Sequence, residues 1–290
     1  MSERNRFKTN NRVVLKVFDG LKNFISEENI KTMREEYKLI DLLFRLQKFH
    51  IQGTPIRWLA EHGRIINHGK NKKMDKMEFN FGGRKKCIFE PEHLALTTGL
   101  KFGPLPEVEC DMSSQFLSLF PEDIEKLIFS DVLDILRSQS DSPIKKNTTI
   151  VRKLVVVYLF YKLILNKDPA NKINDRVVLL ADDPVKFNYF PWGRMVYEGI
   201  VSNWAKLFDK TSQKPVGEVW LKVVAFPFAV QCWFLEGLSP DQYSSLAEKV
   251  DDDSLPRVLR WNTRTSPDYD RACRSMFNHD EVTTLCYSTS

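Results

Sequence analysis

A short basic stretch carries most of the chemistry that the sequence offers. Lys70, Lys72, Lys73, Lys76, Arg84, Lys85 and Lys86 fall close together. Such cations could contact phosphates, and each neutralised phosphate would release counterions. The same charges would also suit a solvated loop that keeps an exposed strand edge from pairing. The solvated loop is the favoured reading, nucleic-acid binding is the alternative, and a nuclear-import signal is a weaker third.

Other reactive residue types do not assemble into a motif. His93 and Cys232 could in principle serve a Cys/His/Asp protease, which needs a thiolate beside an oriented imidazole. Cys232 instead sits in the apolar run VQCWF, where a buried small hydrophobe is the simpler reading. His62 and His68 are six apart, as are Cys87 and His93, and that spacing is unusual for structural zinc. Gly82-Gly83 reads as a turn, not a phosphate cradle. The aromatics Phe187, Tyr189, Phe190, Trp192 and Trp204 could form a stacking platform, but their helical spacing and nearby prolines favour core and corner packing. The sequence therefore predicts no catalytic, cofactor-binding or metal-binding residue.

The elements that would position these residues begin with a hairpin over about 77–89. Met77, Phe79 and Phe81 alternate with Glu78 and Asn80, the period of a half-buried strand. Gly82-Gly83 fits a two-residue turn, and Cys87-Ile88-Phe89 supplies the return strand. Glu90-Pro91-Glu92 then starts a helix that Gly99 ends.

Around this unit the pattern is helical. A short helix is expected over 13–25, a longer one over 27–49, and a short one over 56–66 that includes Ile65. Gly53-Thr54-Pro55 separates the last two. Pro121 should start a helix with the stripe Ile124, Leu127, Ile128, Val132, Ile135 and Leu136. Thr148–Asn166 is apolar on nearly all sides and should be a central helix. A short element starts at Arg176. Val196, Tyr197, Ile200, Val201, Trp204, Leu207 and Phe208 mark another helix. Val219–Leu238 should form a second central helix, kinked or broken at Pro227. Pro256–Trp261 reads as extended. The expectation is a mainly α fold: one helical domain over 13–261 with the hairpin packed on it, a disordered lead over 1–12 and a polar, ill-ordered tail over 262–290.

Composition bounds the rest. The 290 residues are 42% hydrophobic and 12% aromatic, enough for a well-packed core. A net charge of +5 is mildly basic and well short of a nucleic-acid arm. Five scattered cysteines with no CxxC pair suit a reducing compartment. No apolar signal core opens the chain. The runs Leu154–Leu165 and Val219–Leu235 are too short or too interrupted to span a bilayer, so no membrane partner is expected.

Four blocks carry a resemblance. Phe79, Phe81 and Gly82 precede a helix ending in Thr97-Thr98-Gly99-Leu100. Phe187, Asn188, Pro191, Trp192, Gly193 and Arg194 form a second block. Ala225, Phe226, Pro227, Ala229, Gln231, Trp233 and Glu236 form a third, and Pro256-Arg257 with Leu259-Arg260-Trp261 a fourth. In this order they resemble a plant-specific domain of unknown function that is common in transposon-derived genes. That domain often lies upstream of a SUMO-specific cysteine protease domain. The hairpin–helix block is more distantly similar to the plant mobile domain. Ala225 replaces the glycine that opens the family's third block, and the stretch after Trp261 is too short for a protease domain. The resemblance implies a non-catalytic interaction module that binds a protein partner in the nucleus, or alternatively the cytoplasm.

Overall fold

The computed structural model describes residues 17–46, 49–66, 74–81, 86–108, 113–141, 148–165, 169–213, 226–250 and 252–264. In chain order the helices are α1 (Glu27–Glu36), α2 (Lys38–Arg45), α3 (Gly53–His62), α4 (Pro91–Thr98), α5 (Phe129–Gln139), α6 (Thr149–Leu159), α7 (Asp175–Ala181), α8 (Pro184–Tyr189), α9 (Trp192–Gln213), α10 (Pro227–Glu236) and α11 (Pro240–Tyr243). The strands are β1 (Gly63–Ile66), β2 (Lys76–Asn80), β3 (Lys86–Phe89), β4 (Ala247–Lys249) and β5 (Trp261–Thr263). The fold is mainly helical, with an antiparallel sheet in the order β1-β2-β3 and a separate β4-β5 pair. No helix among the described residues is long and apolar enough to cross a membrane.

The sequence reads as one domain over 13–261, whereas the described residues divide into two compact units. One draws on Lys48–Phe102 and Trp192–Ser290, the other on Arg12–Gln47 and Gly103–Pro191. Each is built from segments far apart in the chain, so no linker composition marks the division.

In the unit drawn from Arg12–Gln47 and Gly103–Pro191, α6 is the centre. Thr148 Oγ1 caps it by accepting the Val151 N–H, 3.2 Å away. Val151, Leu154, Val155, Val156, Val157 and Leu159 are fully buried, so the expected central helix is present. It widens into a π turn over Phe160–Ile164. There Tyr161 Oη bonds both the N–H and the carbonyl of Asn174.

Two helix expectations need correction in this unit. The helix expected over 27–49 is two helices, α1 and α2, broken at Tyr37 (φ −120°, ψ 98°). The cause lies far along the chain. Tyr37 Oη donates to the Ala181 carbonyl at 2.8 Å, and its ring stands edge-on to Phe187. Asn188 bridges the break. Its Nδ2 donates to the Glu36 carbonyl at 2.7 Å, and its Oδ1 accepts the Lys38 N–H at 2.9 Å. One amide thus satisfies the end of one helix and the start of the next. Asn188→Ala should destabilise the protein by about 2 kcal/mol, as two helix-end partners are lost at about 1 kcal/mol each. A urea midpoint matching wild type would contradict this role. The second correction concerns Pro121, which does not start a helix. A 3₁₀ turn occupies Ile124–Lys126, and α5 begins only at Phe129. Leu127 and Phe129 instead exchange backbone bonds with Ile173 and Asn171, and Ile128 N–H is bonded to Asp131.

In the unit drawn from Lys48–Phe102 and Trp192–Ser290, Met77, Phe79 and Phe81 are buried, as their alternation with Glu78 and Asn80 predicts, and the return strand buries Cys87 and Phe89. Phe79 packs against Trp204, Phe208 and Trp233, and Phe89 against Tyr197 and Trp233. These contacts seat the sheet on α9 and α10. The expected stripe of α9 is buried throughout.

Several details of this unit differ from expectation. Residues 63–66 are not the end of a helix but a third strand, pairing Gly63 with Phe79 and Ile66 with Lys76. Gly53 and Pro55 open α3 instead of separating helices, because proline is tolerated in a first turn. The register Phe79↔Cys87 and Asn80↔Lys86 is centred on Gly83. The two-residue turn expected at Gly82-Gly83 lies outside the described residues. Pro227 starts α10, after Phe226 in the left-handed region (φ 44°), which agrees with the expected break at Pro227 and not with a kink. The remainder of the expected 219–238 helix, 219–225, lies outside the described residues. The expected lead over 1–12 and most of the expected tail also lie outside them. Asn262 and Thr263, assigned to that tail, belong to β5. Arg257–Arg260, expected to be extended, is a 3₁₀ turn.

Candidate functional site

Five of the seven basic residues singled out from the sequence, Lys70, Lys72, Lys73, Arg84 and Lys85, lie outside the described residues. Lys76 and Lys86 are described. The sheet puts them at opposite ends of β2, Lys76 opposite Ile66 and Lys86 opposite Asn80. Five strand residues span roughly 13 Å between first and last. Lys76 is ion-paired with Glu90, and Lys86 lies 3.4 Å from Glu78. The described part of the stretch therefore presents two separated, compensated cations.

The residues weighed for catalysis and metal binding have packing roles. Cys232 is fully buried, and burial pushes its thiol well above the usual range, the opposite of what a nucleophile needs. His62 stacks on Trp58 with ring centroids 4.4 Å apart and bonds the Trp58 carbonyl. Cys87 is buried on β3, and His68 lies outside the described residues. Among the described residues no group of His, Cys, Asp or Glu is arranged to hold a metal. Of the aromatic set, Phe187, Phe190, Trp192 and Trp204 are buried, and Tyr189 is exposed.

His93 caps α4. Its Nδ1 accepts the Glu90 N–H at 3.2 Å, which requires a neutral ring. Burial lowers its pKa below the ordinary 6.5, reinforced by Lys76 and Arg257 and opposed by Glu90 and Glu92. A depressed folded pKa means that the unfolded chain binds more protons than the folded one. The contribution is fully present above pH 6.5 and is lost as pH falls from there through the lower folded value. Thermal midpoints between pH 7.5 and 5 should therefore fall more for wild type than for His93→Gln. Parallel curves would contradict this role.

Three buried tyrosines are likewise held in the neutral form by burial. Tyr37 and Tyr161 carry the bonds described above. Tyr197 Oη lies 2.9 Å from the Asp75 carbonyl and 3.1 Å from the Phe89 carbonyl. Its one proton ties the chain entering β2 to the end of β3.

The blocks that carry the resemblance are architectural too. Asn188 bridges α1 and α2. Gly193 donates its N–H to the Lys101 carbonyl at 2.9 Å, with Phe102 packed where a side chain would stand. Gln231 and Gln52 are both fully buried and form a closed amide pair. Gln52 N–H donates to Gln231 Oε1 at 2.8 Å, and Gln231 Nε2 donates to Gln52 Oε1 at 3.1 Å and to the His50 carbonyl at 3.2 Å. Gln52 Nε2 reaches the carbonyls of Leu246 and Arg264. Glu236 accepts the Trp261 indole N–H at 2.8 Å.

Among the described residues a groove of about 940 Å³ lies between β1 and α9. Its wall on β1 is Gly63, Arg64 and Ile65, and Met74 and Asp75 also line it. Its wall on α9 runs from Arg194 to Ser212 and includes the small residues Ser202, Ala205 and Ser212. The lining carries three carboxylates, Asp75, Glu198 and Asp209, against two guanidiniums, Arg64 and Arg194. Arg194 is paired with Glu198 at 3.1 Å and Arg64 with Glu78 at 2.6 Å. The sequence reading followed only the apolar stripe of α9. The signal for the groove was its other face, where small and acidic residues recur three and four apart. Comparison with protein-family models, curated proteins and solved structures found no match.

Proposed function

We propose that the protein is a non-catalytic interaction module, of the transposon-derived kind that the resemblance implies, which binds a protein partner in the nucleus or cytoplasm. The observation that carries this reading is the groove between β1 and α9. It is large enough for a ligand, its lining is of mixed charge with carboxylates in excess, and it holds no activated nucleophile. Strongly shifted groups mark catalysis only when the shift suits the chemistry. Here burial pushes each one toward its neutral form, and the tyrosines and His93 are bonded to backbone. The described cations of the basic stretch are paired and apart, which does not favour a phosphate-tracking surface.

The test is binding of the purified chain to labelled single- and double-stranded DNA across a salt series. The expected result is weak binding with a shallow dependence of log affinity on log salt. Seven cooperating phosphate contacts would give a slope near −6 on duplex DNA, from about −0.9 per contact. A slope of that size, lost when Lys72, Lys73, Arg84 and Lys85 become alanine, would overturn the reading in favour of nucleic-acid binding.

A further inference from the structure

We propose that the groove is a strand-acceptor site: an extended, basic peptide adds to the outer edge of β1 and lies along α9. This rests on the protein-interaction reading above and names its ligand class.

The geometry begins with the sheet order. β1 is outermost, and the only backbone partner of Gly63–Ile66 among the described residues is β2. An edge of this kind offers unpaired N–H and C=O groups that another extended backbone can satisfy and a helix cannot. Phe208 packs against Gly63, where a side chain would stand. Beyond it, Arg64 is bonded to Glu78 on the neighbouring strand. Across the groove Ser202 and Ser212 are exposed and Ala205 half-buried, so α9 leaves room for a chain to pass. From Arg194 to Ser212 a helix rises roughly 27 Å, the length of about eight extended residues.

Charge selects the occupant. Both guanidiniums of the lining are engaged by carboxylates, while Asp209 has no cationic partner among the described residues. Asp209 is complementary to a lysine or arginine side chain, whereas an acidic peptide or a phosphate backbone would place like charge against it.

The probe is a fluorescein-labelled octapeptide of alternating lysine and valine, titrated into the full chain by anisotropy. Saturable binding is expected. A glutamate–valine octapeptide should bind at least about tenfold more weakly, reflecting the loss of charge complementarity. Two analogues of the lysine–valine peptide, N-methylated on one or the other alternating set of residues, separate backbone pairing from charge. One of them should lose at least about tenfold, because methylation removes donors needed by the strand edge. Ser202→Trp, at an exposed position that disturbs no core, should block the groove and abolish binding. Failure of the lysine–valine peptide to bind would overturn the proposal. So would binding that ignores both methylation sets and Ser202→Trp. If Ser202→Trp retains a protein partner captured by wild type, this site fails while the interaction reading stands. If wild type captures no protein, the interaction reading itself fails.

Discussion

Gln231→Leu should destabilise the protein by about 3–5 kcal/mol, a large fraction of a typical domain's total stability. The side chain is fully buried and is half of a closed pair with Gln52. Leucine has similar volume, so the effect is not a cavity. It arises because the Gln52 N–H, Gln52 Oε1 and the His50 carbonyl all lose their Gln231 partners at once. Each buried polar group left without a partner costs about 1–3 kcal/mol. The pair also fastens distant parts of its unit, since Gln52 Nε2 holds the carbonyls of Leu246 and Arg264. Urea unfolding followed by far-UV circular dichroism measures the change. A loss below about 1 kcal/mol would show that water or a rearranged Gln52 replaces the partner.

Gly193→Ala should cost about 3 kcal/mol or more, the upper range for forcing atoms into a packed site. A methyl group there would stand 2.5 Å from the Phe102 ring and 2.7 Å from the Lys101 carbonyl oxygen. The ring could turn aside, but that oxygen is backbone and is held by the Gly193 N–H itself at 2.9 Å. Relief therefore requires breaking the bond or moving the start of α9, which carries Tyr197 and the groove wall. Gly20→Ala is the control, because nothing stands within 4 Å of the added atom. Equal stability of the two variants would contradict the account of Gly193.

Local signals in the sequence carried the elements but not what joins them. The alternation of Met77, Phe79 and Phe81 with Glu78 and Asn80 marked the buried side of the first hairpin arm, and all three are buried, because period two needs no distant information. The Pro91 start and Gly99 stop of α4 were legible for the same reason; Gly99 adopts φ 73°. The break at Tyr37 was not legible. The stripe Leu39, Leu42, Leu43 and Leu46 lies wholly after it and marks no start, and the cause of the break is Ala181, Phe187 and Asn188. β1 was missed because Gly-Arg-Ile-Ile is too short to show a period and follows a true helix. The groove needs β1 and α9, which are some 130 positions apart, so no window of sequence contains it. The amide pair of Gln52 and Gln231 is hidden in the same way. Asn188, Gly193 and Gln231 were visible only as members of the blocks that carry the resemblance, and in the structure they hold backbone segments together.

The central claim is that the protein works by binding another protein and not nucleic acid. Affinity enrichment from nuclear and cytoplasmic extracts with the intact chain as bait, quantified by mass spectrometry with and without exhaustive nuclease treatment, tests it most directly. The account predicts a specific set of proteins retained equally in both arms, and reduced with Ser202→Trp as bait if the groove is the docking surface. Enrichment that disappears on nuclease treatment, or no protein enriched above the bare matrix, would contradict it.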